Sequence, residues 1–183
     1  MRQLLFACAA TILSAGIVRA DVESGPKAGE KVGDFKVFGV TGAVEGKEVS
    51  YVKERKDETT VYVFVQKEHW GRPMARFLKS LDTASKEVDV KSKVVVVWLT
   101  EKPDEAKDYL PKAQMSLQFE NSFLTVFTGE KSGPNGWSIN ADAHLTVVVT
   151  KNGKVTANFA FLSVNDTDVP KVNEAIKKAS EVK

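Results

Sequence analysis

The amino-acid sequence predicts an α/β protein with a central mixed sheet flanked by helices, and three observations carry that prediction. Residues 61–65 (Val-Tyr-Val-Phe-Val) and 94–99 (Val-Val-Val-Val-Trp-Leu) are continuous β-branched and aromatic runs, with an apolar repeat of helical period between them. Residues 145–149 and 155–161 are two more strand-like runs joined around Asn152-Gly153, and helical spacing returns after Pro170. Unbroken apolar runs suit strands buried on both faces. A strand, helix, strand order calls for a right-handed parallel crossover, whereas Asn-Gly best fits a tight antiparallel turn.

Residues 1–20 read as a secretory signal peptide: Arg2 near the start, a mostly apolar run over 4–18, then Val18-Arg19-Ala20 with short residues where a signal peptidase reads. The run is shorter than the roughly 20 residues of a membrane span, and Gly16 and Arg19 weaken its end. Cys8 has too short a stretch before it for a lipoprotein anchor. Cleavage after Ala20 removes Cys8, the only cysteine, together with Arg2 and Arg19, and leaves acids and bases in balance. The expectation is an exported chain, periplasmic or extracellular, with no membrane span after cleavage and no thiol chemistry. Without disulfides it must be held by its core, and about 160 residues suffice for one domain. Lysines and acids are interspersed, which excludes the basic stripe that nucleic-acid binding needs.

Residues 21–33, with Pro26, Gly25, Gly29 and Gly33 and no apolar period, predict an exposed lead-in to a single domain over 34–183. Phe35, Val37, Phe38 and Val40 suggest a short strand closed by Thr41-Gly42, and residues 48–52 suggest another. After the 61–65 strand, Pro73 suits a helix's first turn, and Met74, Phe77, Leu78 and Leu81 follow on one apolar face. Pro103 with Asp104 and Glu105 opens a second helix, predicted to end near Ala113. Residues 123–127 read as a short strand, and 129–136 as a glycine-rich loop leading to Trp137 and Ile139. Val169, Val172, Ile176 and Ala179 predict a terminal helix beginning at Pro170.

The order strand, helix, strand, helix, antiparallel hairpin and last helix resembles the thioredoxin-like superfamily. Three stretches resemble its peroxiredoxin and exported thiol-reductase branch. Residues 29–35 (Gly-Glu-Lys-Val-Gly-Asp-Phe) are similar to the entry segment without its usual proline, 123–139 to the insert before the hairpin, and 145–155 to the strand, turn and strand. The resemblance implies a redox site just after the first core strand, where a helix N-terminus stabilises a thiolate. Here that segment is Lys67-Glu68-His69-Trp70-Gly71-Arg72-Pro73, so that Trp70 and Pro73 stand where the two thiols would be. The family's cis-proline falls on His144, where a non-proline residue predicts a trans peptide. The segment 48–56, another place for cysteines in some relatives, offers Ser50, Tyr51, Val52 and Lys53.

The chain's two histidines, His69 and His144, are placed by this resemblance on facing loops of the degenerate site. A zinc or copper site is one reading, with Glu68 or Asp142 as oxygen ligands; two exposed loop histidines are the other. Ser50, Ser138 and Ser163 lack a nucleophile-elbow context, and Asp104 and Glu105 suit a helix start, not an acid–base pair. Trp70 beside Arg72 suits either a partner-protein anchor or a cap on the core. The leading expectation is a redox-inactive thioredoxin-like module that binds a protein or peptide over His69, Trp70, Gly71, Arg72, Pro73 and His144. The alternative is a metal-binding protein using His69 and His144, and a thiol oxidoreductase or peroxiredoxin survives as a family label alone.

Overall fold

The computed structural model describes residues 22–182; the signal-peptide segment lies outside the described residues. In chain order the elements are β1 (Val37–Gly39), β2 (Glu48–Val49), α1 (Tyr51–Glu54), β3 (Thr60–Gln66), α2 (Arg72–Val88) and β4 (Lys93–Leu99). They are followed by α3 (Pro103–Leu117), β5 (Ser122–Val126), β6 (Leu145–Lys151), β7 (Lys154–Phe161) and α4 (Val169–Ser180). Short 3₁₀ turns at Lys67–His69 and Asp166–Asp168 precede α2 and α4. The strands form one mixed sheet in the order β2-β1-β5-β4-β3-β6-β7. β3, β4 and β5 run parallel, joined by α2 and α3, while β6 and β7 form the antiparallel hairpin. Asn152 and Gly153 turn that hairpin with φ of 53° and 68°, a pair of left-handed residues that matches the twist of the strands.

Strand alternation divides the core between the two faces of the sheet. Val61, Val63 and Val65 of β3 join Met74, Phe77, Leu78 and Leu81 of α2, Leu110 of α3 and Val172 and Ile176 of α4 in one cluster. Tyr62 and Phe64 join Phe35, Val95, Val97 and Trp137 in the other. Three long helices thus supply one cluster, whereas the opposite face is covered by the N-terminal segment, α1 and the loop before β6. Trp137 is fully buried there, its Nε1 donating to the Gly33 carbonyl at 2.9 Å. On the helical face the buried Asp82 of α2 accepts from the backbone N–H of Glu120 (3.0 Å) and Asn121 (2.8 Å) and from Ser122 Oγ (2.6 Å). It thereby pins the start of β5 to α2.

Two sequence expectations are corrected and one is refined. The lead-in is largely exposed, as expected, but two of its residues are not: Ser24 and Pro26 are buried, Ser24 Oγ lies 2.6 Å from Thr146 Oγ1, and Lys31 bridges Lys154. Its glycines let the backbone lie flat along β7, as in the Gly29 N–H bond to the Val155 carbonyl at 2.8 Å. The 48–52 strand stops at Val49, because Ser50 caps α1 by accepting from the Lys53 N–H at 3.3 Å. Finally, α3 runs past Ala113 to Leu117 and carries Pro111 inside it, ending at Gln118 in the left-handed region (φ 50°).

Candidate functional site

β3 ends in Gln66, and the chain turns through Lys67–His69 before α2 begins at Arg72. The ladder that pairs Val65 with Leu145 continues one residue further, with the Gln66 N–H donating to the His144 carbonyl at 3.2 Å. This register brings the residue before β6 against the loop after β3. The imidazoles of His69 and His144 stack with ring centroids 3.4 Å apart and planes 13° from parallel. The peptide at His144 is trans, as are all peptides among the described residues. Partial burial, and then the neighbouring His69, hold the His144 imidazole below the usual histidine range. Near neutral pH it is therefore held as the neutral ring.

Trp70 follows directly. It is half-buried, its ring 4.8 Å from the buried Trp98 of β4, and its Nε1 donates to Tyr109 Oη of α3 at 2.8 Å. The core-capping role read from the sequence is present: the indole closes the end of the helical core cluster, while part of it stays at the surface. Gly71, extended at φ −168°, is the N-cap of α2 and provides no side-chain bond to the first helical N–H groups. Pro73 occupies the first turn, where a missing N–H costs nothing. Arg72 and Pro73 are exposed. No cysteine occurs among the described residues.

The proposed oxygen ligands do not gather with the histidines. Glu68 is held by Lys131 at 3.1 Å, and Lys131 also reaches Glu101 at 3.7 Å. Partial burial pulls the Glu68 carboxyl up, but its own backbone N–H and Lys131 outweigh this and leave it below the usual range. Asp142 is exposed. Among the described residues no group of three His, Cys, Asp or Glu side chains is placed to hold one ion. Two features escape sequence reasoning. Gln66 is only 3% exposed and neither of its amide atoms has a hydrogen-bond partner; Trp98 Nε1 is likewise buried and unpartnered. The one sequence signal for Gln66 is a polar residue ending an otherwise apolar strand. Tyr109 and Lys131, by contrast, are ordinary surface residues in the sequence.

No family model matches the chain, and no curated protein matches it. Solved structures do. BsSco, a member of the Sco family of cytochrome c oxidase assembly proteins, superposes with a TM-score of 0.61 at 15% identity, over 88% of this chain and 100% of that one. A peroxiredoxin-like protein from Aquifex aeolicus gives 0.58 at 17% identity over 85% of this chain and 91% of its own. A secreted thiol-disulfide isomerase from Corynebacterium glutamicum gives 0.55 at 13% over 80% and 85%. At such identities the likeness is one of architecture, and it agrees with the strand order and helix placement above: the fold of this chain is thioredoxin-like.

Proposed function

We propose that this protein is an exported, redox-inactive thioredoxin-like module that binds an extended polypeptide at the end of the sheet where the family it resembles carries its thiols. The observation that carries the reading is Trp70. It stands at the entry to α2 in place of a nucleophile, supported from below by Trp98 and from the side by Tyr109, with part of its ring at the surface. A supported aromatic side chain is the kind of anchor that dominates protein interfaces, and it needs no thiol. Export is supported by the signal-like residues 1–20 and by the likeness to a secreted isomerase; the destination is a periplasm or the cell exterior. The test is calorimetric titration with disulfide-free decapeptides of acidic, neutral and basic composition. At least one composition binds with a Kd of about 1 μM, and Trp70→Ala weakens it at least about tenfold. Failure of every composition, or binding indifferent to Trp70, contradicts the proposal.

A second reading has a specific observation behind it, the contact between His69 and His144. Imidazole suits zinc or copper, and the two rings are near enough to share an ion. Stacking, however, leaves the in-plane nitrogen lone pairs in two nearly parallel planes, so both rings must tilt to meet one ion at about 2 Å. Titration of zinc and copper, with His69→Ala and His144→Ala alongside, separates the readings. Micromolar binding lost in both variants selects the metal site, and binding unaffected by either substitution rejects it.

A further inference from the structure

The N-terminal half of α2 presents a second face. Its buried stripe is Met74, Phe77, Leu78 and Leu81, and the stripe bordering it carries Arg72, Arg76 and Lys79 at helical spacing. These three line a groove of about 330 Å³ with Ala75, Leu117 and Asp166. Lys79 is already used: its Nζ donates to the Gln118 carbonyl at 2.8 Å and lies 3.9 Å from Asp82. The two arginines are not. Among the described residues Arg55, the third arginine, pairs with Glu58 at 2.8 Å and donates to Thr60 and to the Lys91 carbonyl, whereas the guanidinium groups of Arg72 and Arg76 have no ion-pair or hydrogen-bond partner. Asp166 lines the groove without bonding either one.

We propose that this groove seats an extended acidic segment of a partner polypeptide, with successive same-side carboxylates received by Arg72 and Arg76. The inference rests on the polypeptide-binding reading above and supplies the partner's chemistry. A guanidinium fork matches a carboxylate in a two-pronged, planar bond, which a lysine cannot provide. Residues four apart on a helix stand about 5–6 Å apart at Cβ. Side chains on one side of an extended chain recur at about 6.6 Å, so the two spacings agree. The cleft has room for two or three side chains, with Leu117 as an apolar wall. Trp70, two residues before Arg72, stands outside the groove's lining, against Trp98 and Tyr109, and in this proposal the partner's segment runs on from it into the groove.

The experiment uses fluorescein-labelled (Glu-Ser)5 and (Gln-Ser)5 peptides, fluorescence anisotropy at about 0.15 M salt to screen diffuse charge attraction, and the wild-type, Trp70→Ala, Arg72→Gln, Arg76→Gln and Lys177→Gln proteins. Lys177 is an exposed cation in the last turn of α4 and controls for net charge. The acidic peptide binds about tenfold more tightly than the neutral one, each arginine substitution removes about that factor, and Lys177→Gln leaves it unchanged. Equal affinity for the two peptides, or indifference to both arginine substitutions, overturns the groove. If the neutral peptide still binds in a Trp70-dependent manner, the groove alone fails; if no peptide binds, the polypeptide-binding reading fails with it.

Discussion

His144 and Gln66 stand opposite each other across the β3–β6 ladder, and both pay for being taken out of water. Gln66 does so through an unpartnered amide, His144 through an imidazole whose charged form is disfavoured. Because the folded pKa of His144 lies below its unfolded value of about 6.5, the unfolded chain binds more protons in the window beneath that value. The contribution is fully present above about pH 6.5 and is lost as pH falls through the folded pKa. Denaturant unfolding of the wild-type protein between pH 7.5 and 5 therefore shows stability declining, and His144→Gln flattens that portion of the curve. An unchanged slope in the variant contradicts the assignment. The carboxylates held low by cation partners, Glu120 beside Lys86 and Glu174 beside Lys178, act at lower pH and do not blur this window. The meeting of the two histidines is anticipated by the resemblance, which puts His69 and His144 on facing loops, and not by any pattern in the residues themselves. The orphaned Gln66 amide is anticipated by neither, because nothing in a single sequence says which side chains a loop will cover.

At the scale of elements, α3 shows where local rules are overruled by packing. The sequence reading ends this helix near Ala113, and Pro111 inside it removes one helical hydrogen bond and crowds the preceding turn. Ala106, Leu110, Ala113 and Leu117 nevertheless keep their side chains in or against the core at helical spacing, and Pro111 falls on the exposed face. Burial of that stripe outweighs the local penalty. Pro111→Ala accordingly stabilises the protein by about 1–3 kcal/mol, read as a higher midpoint in urea; a lower midpoint means that the proline is doing structural work. The buried strands β3, β4 and β6 and the helices α2 and α4 are legible because their periodicity is long and uninterrupted. The docking of Ser24 and Pro26 and the early end of the 48–52 strand are not legible, because these segments are short, polar and fixed by tertiary bonds such as Ser24 to Thr146 and Ser50 to Asp34.

For the whole molecule, the parallel β3–β4 crossover and the antiparallel β6–β7 hairpin follow from sequence, whereas the β3–β6 pairing that joins them comes from the structure. The far side, where β5 and the antiparallel β1 and β2 extend the sheet, and the loop that buries Trp137 on the face opposite the helices, follow from contacts between residues about 100 positions apart, such as Trp137 with Gly33. What this architecture gathers at the carboxyl ends of β3 and β4 is a half-exposed tryptophan, a stacked pair of imidazoles and two unpaired arginines. These are the groups on which the proposed polypeptide binding rests, and no cysteine occurs among the described residues. The most direct test is NMR: the ¹⁵N-labelled protein titrated with the decapeptide panel. Peptide binding at this surface shifts the amides of residues 66–80 and 142–145, with Leu117 and Asp166 added for acidic peptides, and Trp70→Ala abolishes the shifts. Shifts centred elsewhere, such as along β7, or none with any peptide, contradict it.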